Sequence, residues 1–378
     1  MAAGSSAGIV FRAAIYGGSG YADGNQEILA GLERHHLPLQ LVPLGAQSDA
    51  AGLLPSARRR ALEKLQRRRL DLGRSVLYQS MPAGDFETQL DARVRIGRTT
   101  FETDGLPPCW RERCNAMDEV WVPSTFNREM FARSGVAEAR LRVMPEGLDT
   151  RRFRPGLQPL PIPCRRRFNF LSVFDWIDRK GGDVLLRAFL DAFGPDDDVA
   201  LILKVHKFDE PEADLEARLL DFIEREAGVP LDHAPSVILL RGLLPAQDMP
   251  RLYASAQAFV LPSRGEGWGR PYMEAAACGL PVLATRWSGQ TDFLNDGNSY
   301  LIDVEGVVPV PQDSDREIYI GHRWAEPSVE HLSQLMRHAA SHPDEARARG
   351  QQARRDMVAH WDSTVLAPPW AAAFQGLL

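Results

Sequence analysis

Two glutamates in a glycine-rich segment have a spacing and a local sequence that are typical of a ligand-binding site. Glu266 and Glu274 lie in the stretch EGWGRPYMEAAACGLPV, in which Pro271 marks the first turn of a predicted helix. Backbone N–H groups at such a loop and helix N-terminus bind anions, and a carboxylate can accept two hydrogen bonds from a ribose diol. The pattern therefore predicts a site for a ligand with phosphate and ribose groups. The alternative is that Glu274 only offsets the helix dipole.

A second glycine-rich turn follows the first strand-like run of the chain. The stretch IYGGSGYA contains Gly18, Ser19 and Gly20. A dinucleotide-binding fold would require G-x-G-x-x-G here, and that pattern fails because Asp23 occupies its last position. We therefore do not expect a nicotinamide cofactor. A tight turn without a ligand is the alternative to a ligand-binding loop.

The elements that must position these residues alternate along both halves of the chain. Apolar runs are separated by amphipathic stretches, which is typical of βα units around a parallel sheet. The predicted strands are residues 11–16, 39–44, 74–78, 96–101 and 119–122 in the first half, and 168–174, 199–205, 237–241, 258–261, 281–284 and 299–302 in the second. The predicted helices are residues 26–34, 57–72, 110–117 and 127–134, then 183–193, 213–227, 247–254, 271–278 and 328–341.

A segment rich in proline and arginine, residues 153–167, separates the two halves. Its prolines disfavour a helix or a central strand, so we predict the domain boundary there. Two α/β domains in tandem form a cleft between them, and such folds bind ligands at the carboxyl ends of their parallel strands.

Composition narrows the class of protein. The 378 residues are 44% hydrophobic and 25% charged, which fits a globular enzyme. The net charge is −6, with an excess of basic residues before residue 160 and of acidic residues after it. An acidic second half argues against nucleic-acid binding. The four cysteines form no CxxC pair, and no signal peptide or membrane span is recognisable, so we expect a cytoplasmic protein.

The segment around Glu266 and Glu274 resembles the signature of the family-four retaining glycosyltransferases, E-G-[FW]-G-x-x-x-x-E-A-x-A-x-G-x-P-V. The resemblance implies the GT-B fold, two Rossmann-like α/β domains that face each other across a cleft. It also implies that Glu266 lies beside the donor sugar and that Glu274 binds the ribose. The backbone that would follow the sugar and diphosphate belongs to Gly267, Trp268, Gly269, Arg270, Pro271 and Tyr272.

A second stretch, FLSVFDWIDRKGGDVLLRAF, resembles the first unit of the family's C-terminal domain. The resemblance places Arg179 and Lys180 at the donor diphosphate, where cations stabilise the charge that grows in the transition state. Many members separate this arginine and lysine by several residues, whereas here they are adjacent. An exposed basic turn is the alternative. The loop at Gly18, Ser19 and Gly20 would approach the diphosphate from the N-terminal domain.

The stretches TTFETDGLPPCW, DEVWVPSTFNREMF and VMPEGLDTRRFRP resemble the later part of the family's N-terminal domain. Many members carry a histidine there that faces the acceptor. This chain has Glu102, Thr103 and Asp104 instead, and we predict that they contact acceptor hydroxyls. Helix capping by Asp104 is the alternative.

The resemblance implies retaining transfer of a sugar from a UDP- or GDP-sugar to an acceptor hydroxyl. We predict an acceptor-side domain at residues 1–160, a nucleotide-sugar domain at 161–360 and a helical tail at 361–378 that packs toward the first domain. We expect no cofactor beyond the nucleotide-sugar co-substrate, and no essential metal because no D-x-D metal motif is visible near the donor elements. The alternatives are another GT-B enzyme, such as a phosphorylase or epimerase, and a catalytically silent nucleotide-sugar-binding subunit.

The expected partners are a nucleotide-sugar donor and an acceptor that is a glycan, a lipid-linked sugar or a small molecule, with no nucleic acid. The arginine-rich helix at residues 57–72 has two interpretations. It is either a solvated face or a contact with anionic lipid or a phosphorylated acceptor. A contact with lipid would place the protein peripherally at the inner face of a membrane.

Overall fold

The computed structural model describes residues 6–17, 20–45, 54–163, 165–206, 212–242 and 244–378. The chain divides into two compact units, Met1–Asp149 with Ala359–Leu378 and Thr150–Val358. Each unit has a six-stranded sheet whose neighbouring strands pair in parallel. The predicted α/β class with two Rossmann-like domains is therefore confirmed. The division lies ahead of the predicted proline-rich segment, and the C-terminal residues belong to the first unit.

The first unit alternates strands and helices in the order that the apolar runs predict. Its sheet has the order β2-β1-β3-β4-β5-β6. The elements are β1 (Ile9–Ala14), α1 (Gly20–Arg34), β2 (Leu39–Leu44), α2 (Ser56–Arg67), β3 (Val76–Ser80), β4 (Val94–Arg98), α3 (Pro108–Asn115), β5 (Glu119–Val122), α4 (Thr125–Arg133) and β6 (Leu141–Val143).

The second unit repeats the alternation with a different strand order, β12-β11-β10-β7-β8-β9. Its elements are β7 (Phe168–Asp175), α5 (Gly182–Ala192), β8 (Val199–His206), α6 (Glu212–Asp221), β9 (Ser236–Leu240), α7 (Met249–Tyr253), β10 (Ala258–Leu261), α8 (Arg270–Ala277), β11 (Val282–Thr285), β12 (Tyr300–Ile302), β13 (Val304–Pro309), β14 (Arg323–Pro327), α9 (Val329–Ser341) and α10 (Pro343–Asp356).

The central strands of the second unit explain why it folds as a covered parallel sheet. The sequence of β8, VALILKVH, is buried at every residue except His206. A strand that is apolar on both faces requires helices on both sides of the sheet. Complete burial of one Leu, Ile or Phe side chain contributes about 1.5–3 kcal/mol, so the near-continuous apolar sequence fixes β8 in the interior.

A C-terminal helix, α11 (Ser363–Gln375), completes the core of the first unit. Trp370 and Phe374 pack against Trp121, with ring centroids 5.3 Å and 4.9 Å away. The indole N–H of Trp370 donates to the carbonyl of Pro145 over 2.9 Å. Aromatic pairs of this kind add about 0.5–1.5 kcal/mol to the burial of their surface. The end of the chain therefore stabilises the same unit as its beginning.

Among the described residues, four strands and helices were not anticipated from the sequence: the short strand β6, the strands β13 and β14 of an antiparallel hairpin, and the helix α10. The strand β13 is only half-buried or exposed along its length, so it lacks the apolar run that marks the central strands.

Among the described residues, no helix is long and apolar enough to cross a membrane.

The strand order of the second unit determines where a ligand can bind. The strands β7 and β10 are neighbours, and the chain order runs outward from this pair in both directions. The connections that follow β7 and β10 therefore leave on opposite faces of the sheet, which opens a crevice at the carboxyl end of the pair. In the first unit the corresponding position lies between β1 and β3.

Candidate functional site

Two loops meet at the crevice of the second unit. The short turn Asp178–Lys180 follows β7, and the loop that begins at Pro262 follows β10. The backbone N–H of Arg264 donates to the carbonyl of Arg179 over 2.7 Å. Gly181 has φ of +66°, and a Cβ on it would overlap the carbonyl oxygen of Pro262. A glycine is required there because any side chain would push the two loops apart.

Glu266 lies at the centre of this crevice and pairs with both predicted basic residues. Its Oε1 is 2.5 Å from Nζ of Lys180, and its Oε2 is 3.4 Å from Nη1 of Arg179. The same arginine donates to the carbonyl of Gly265. Glu266 is only 6% exposed. The structure thus brings together three residues that the sequence places in two distant segments.

The two cations determine the protonation of Glu266. Burial by itself would raise the pKa of its carboxyl group, but the charges and hydrogen bonds of Lys180 and Arg179 outweigh burial and hold the pKa below its usual value of 4.5. Glu266 is therefore an anion at neutral pH. Within this cluster of three side chains, two cations pair with one carboxylate.

The neighbouring loop after β11 holds the backbone of Glu266. Its N–H donates to Oγ of Ser288 over 2.9 Å, and its carbonyl accepts from the N–H of Gly289 over 2.9 Å. Ser288 has φ of +74° and ψ of −160°, a region that is almost restricted to glycine. Such a conformation costs about 1–3 kcal/mol, so the surrounding contacts must hold it. Sequence analysis did not find Ser288, because its signal is a backbone angle.

Glu274 lies on α8 and is buried. Its Oε2 accepts from the hydroxyl of Tyr253 over 2.9 Å, and its Oε1 is 4.0 Å from Nη2 of Arg270. Burial and then the charge of Glu274 raise the pKa of Tyr253 well above its usual value, so this tyrosine stays a hydrogen-bond donor. Tyr253 thus fixes the carboxylate from the side of the core.

The other predicted donor-binding side chains have structural roles. Trp268 donates to Sδ of Met273 over 3.0 Å. Tyr272 is fully buried, and its hydroxyl donates to the carbonyl of Leu261 over 2.8 Å. Gly269, with φ of +98°, precedes α8, and Pro271 lies in the first turn of that helix. We expect the backbone of Gly267 to Tyr272, rather than these side chains, to contact the ligand. This remains a prediction.

The predicted residues of the first unit lie after β1 and β4. Gly18 and Ser19 lie outside the described residues, whereas Gly20 is the first residue of α1. Glu102 and Asp104 are half-buried, and Thr103 is buried and donates to the carbonyl of Gly105 over 3.0 Å. Their proposed contact with an acceptor stays a prediction.

A cavity of about 710 Å³ lies at the carboxyl ends of β1 and β3. Its charged lining consists of Arg12, Asp85, Glu87 and Arg113. Arg12 lies 3.3 Å from Glu87. Sequence analysis missed these residues, because they come from distant segments without a shared motif. Of the residues that the structure describes, those around this cavity do not include Glu102, Thr103 or Asp104.

Beside this cavity is a buried ion pair. Arg98, which is 1% exposed, donates to Glu146. Its guanidinium also lies 5.7 Å from the ring centre of Tyr21. The hydroxyl of Tyr21 accepts from the backbone N–H of Thr100 over 3.1 Å. Burial raises the pKa of Tyr21 to about 12. This network joins the start of α1, the end of β4 and the segment after β6.

The described residues contain no group of three or more His, Cys, Asp or Glu side chains that could hold a metal ion.

Part of the second unit is similar to a known family of proteins. The family model described as "Glycosyl transferases group 1" matches residues 165–316, a range that contains Arg179, Lys180, Glu266 and Glu274. A GDP-mannose-dependent alpha-(1-6)-phosphatidylinositol monomannoside mannosyltransferase of Mycolicibacterium smegmatis is 31% identical over 223 residues, which are 53% of each chain. A D-inositol 3-phosphate glycosyltransferase of Acidothermus cellulolyticus is 26% identical over 63% of this chain and 49% of that protein. The chain thus spans about half the length of the curated relatives it matches.

The fold is shared with solved structures. The Anabaena protein HepE, crystallised with UDP-glucose, has a TM-score of 0.65 and 15% identity over 97% of this chain and 99% of that chain. Identity at this level supports likeness of fold alone. The chain thus has the fold of GT-B glycosyltransferases, and its residues 165–316 match the model of the group 1 glycosyl transferases.

Proposed function

We propose that the chain is a retaining glycosyltransferase that moves a sugar from a GDP- or UDP-sugar to an acceptor hydroxyl. The observation that carries this proposal is the cluster of Arg179, Lys180 and Glu266 at the crevice between β7 and β10. The helices α5 and α8 begin beside it, at Gly182 and Arg270. Helix N-termini and an excess of cations together suit a diphosphate.

In the proposed reaction, Arg179 and Lys180 share their charge between Glu266 and the donor diphosphate. The bond from the anomeric carbon to the phosphate oxygen breaks, and the acceptor oxygen forms a bond to the same face of that carbon. The acceptor proton passes to the leaving phosphate oxygen. Cations fixed beforehand stabilise the charge that develops on this oxygen. Glu266 orients the sugar. Glu274 binds the ribose, and Tyr253 donates a hydrogen bond to the Glu274 carboxylate from the side of the core.

The names of the relatives suggest which donor to test first. One relative is named for its dependence on GDP-mannose, and the HepE structure contains UDP-glucose. We propose GDP-mannose as the first donor for this chain and UDP-sugars as the second, with no further cofactor.

We propose that the cavity of the first unit accepts an uncharged polyol or sugar. Two arginines and two carboxylates line it, so its charges balance, and Arg12 and Glu87 already form a pair. A lining with both donors and acceptors suits hydroxyl groups, which donate and accept at once. Glu102, Thr103 and Asp104 do not line this cavity and remain separate proposed contacts of the acceptor. Gly18, Ser19 and Gly20 remain proposed contacts of the donor diphosphate.

We also propose that α2 contacts an anionic membrane surface from the cytoplasmic side. Arg59, Arg60, Lys64 and Arg67 are exposed on this helix, and each basic residue near such a surface contributes about 1 kcal/mol. Sedimentation with vesicles that contain 30% phosphatidylserine, compared with neutral vesicles, tests this. Equal binding to both would exclude an electrostatic contact.

The proposed activity is tested by two assays on the purified chain. A thermal-shift screen with GDP-mannose, UDP-glucose, ADP-glucose and dTDP-glucose identifies the donor, since a ligand that binds the native state raises Tm. Product analysis with a polyol acceptor then separates the reactions. Transfer with retained anomeric configuration supports the proposal. Sugar phosphate formed with inorganic phosphate would indicate a phosphorylase, an isomerised donor an epimerase, and binding without turnover a silent subunit.

A further inference from the structure

The hairpin of β13 and β14 lies against both loops that form the crevice. It follows β12, and residues 310–322 connect its two strands. The family match ends at residue 316, so β14 and part of the connection lie beyond it. This part of the second unit therefore has no role assigned by the family match, although it packs directly on the candidate site.

The first attachment of the hairpin is a buried arginine. Arg264 donates from Nη1 and Nη2 to both carboxylate oxygens of Asp183, over 2.9 Å and 2.7 Å. It also donates from Nε and Nη2 to both oxygens of Glu326 in β14, over 2.9 Å each. Its carbonyl accepts from the N–H of Ala325 over 3.0 Å. Two bidentate pairs of this kind are rigid, so β14 is fixed to the loop that carries Glu266.

The second attachment joins the connection of the hairpin to the turn that carries the basic pair. The N–H of Asp315 donates to Oδ2 of Asp178 over 3.1 Å, and the N–H of Asp178 lies 3.4 Å from Oδ1 of Asp315. Residues 310–322 are thereby held beside Arg179, which follows Asp178 directly.

The third attachment is an aromatic ring over the guanidinium itself. Tyr319 is 8% exposed, and the carbon at the centre of the Arg179 guanidinium lies 5.7 Å from its ring centre. Trp324 in β14 lies 6.4 Å from the ring of Tyr319 and supports it. A cation over an aromatic face contributes about 0.5–2 kcal/mol, with the larger values at desolvated sites. Arg179 thus contacts Tyr319, Glu266 and the carbonyl of Gly265.

We propose that Tyr319 is a positioning residue that orders Arg179 for the β-phosphate of a nucleoside diphosphate. This inference rests on the proposed function of Arg179 at the donor diphosphate. An arginine loses up to about 2 kcal/mol of rotamer freedom when it is ordered, and a guanidinium that is already ordered avoids that loss when the ligand binds. Removal of the ring should therefore weaken contacts to the β-phosphate and leave contacts to the base, ribose and α-phosphate unchanged.

The test compares Tyr319→Leu with the matched control Tyr319→Phe, which keeps the ring and removes only the hydroxyl. Calorimetry on the full chain measures Kd for GDP and GMP, and for UDP and UMP. We expect Tyr319→Leu to weaken diphosphate binding about threefold to thirtyfold. Monophosphate binding should stay unchanged, and Tyr319→Phe should match the wild type. An equal loss for mono- and diphosphates, or no loss at all, would overturn the inference.

A fall in Tm would reveal that Tyr319→Leu does not fold properly. A second variant therefore tests the inference without removing the ring. Asp315→Ala removes an exposed side chain beside the basic turn and leaves the ring in the chain. We expect a smaller weakening, again confined to the diphosphates, and an unchanged diphosphate Kd in both variants would contradict the proposal. If the wild type binds GDP and UDP no more tightly than GMP and UMP, the proposed diphosphate site itself fails, independently of Tyr319.

Discussion

The crevice of the second unit and the cavity of the first unit occupy equivalent places in their sheets but differ in charge. At the crevice, Arg179 and Lys180 both pair with the same carboxylate, that of Glu266. Around the cavity, arginines and carboxylates are equal in number. An excess of fixed cations attracts an anion, whereas a balanced lining offers hydrogen bonds without net charge. The same architecture can thus present a phosphate site in one unit and a polyol site in the other.

The two sites also differ in what lies beside them. The crevice is held by loop contacts, by the strained Ser288 and by the hairpin that carries Tyr319. The cavity lies beside the buried pair of Arg98 and Glu146. Changes at the crevice should therefore affect ligand binding and catalysis, while changes below the cavity should first affect stability.

The largest effect is expected for Arg98→Ala. Breaking a buried pair leaves Glu146 without its guanidinium, which costs about 3–5 kcal/mol of unfolding free energy. Urea denaturation measures this loss. The double variant Arg98→Met with Glu146→Leu should recover most of it, because no unpaired charge remains. A single variant as stable as the wild type would show that the pair does not hold the first unit together.

Lys180→Ala should reduce kcat/KM for sugar transfer about 100-fold to 1000-fold, because it removes a cation from the leaving diphosphate. Steady-state kinetics with the donor found in the thermal-shift screen measures the loss. Lys180→Arg keeps the charge and should lose less. Unaltered kinetics in Lys180→Ala would remove this residue from the diphosphate site, and an unchanged Tm would show that the fold is intact.

Arg12→Ala should raise the KM for the acceptor about threefold to tenfold, the effect of one lost hydrogen bond, without a change in the KM for the donor. Kinetics with each substrate varied in turn separates the two constants. Arg34→Ala, at the last residue of α1, is the matched control outside the cavity. An effect of Arg12→Ala on the donor KM alone would contradict the assignment of the cavity to the acceptor.

The smallest effect is a dependence of stability on pH. The pKa of Glu266 is lower in the folded protein than its usual value of 4.5. Its ion pairs therefore stabilise the fold above that pH, and this contribution is lost as pH falls through the folded-state pKa. Tm measured between pH 7 and pH 3.5 should fall less steeply in Glu266→Gln than in the wild type. Parallel curves would show that Glu266 contributes nothing to the acid sensitivity.

Several elements could be predicted to the residue. The strands Leu39–Leu44, Glu119–Val122 and Ala258–Leu261 are as expected, because short apolar runs with polar boundaries have one favourable arrangement in a covered sheet. The helix α2 ends at Arg67, earlier than predicted. Arg68 there is extended, with ψ of 150°, and the exposed arginines beyond it bury no apolar face that would continue the helix.

By itself, the sequence determined two α/β units and predicted Glu266, Glu274, Arg179 and Lys180 as donor-site candidates, because these depend on local periodicity and on motifs of fixed spacing. Only the tertiary structure decided that Glu266 binds both cations, that Ser288 adopts a glycine-like backbone and that Tyr319 covers Arg179. The same holds for the cavity around Arg12 and for the pair of Arg98 and Glu146. These contacts join residues far apart in the chain. Their geometry depends on strand order and loop approach, which local patterns do not specify.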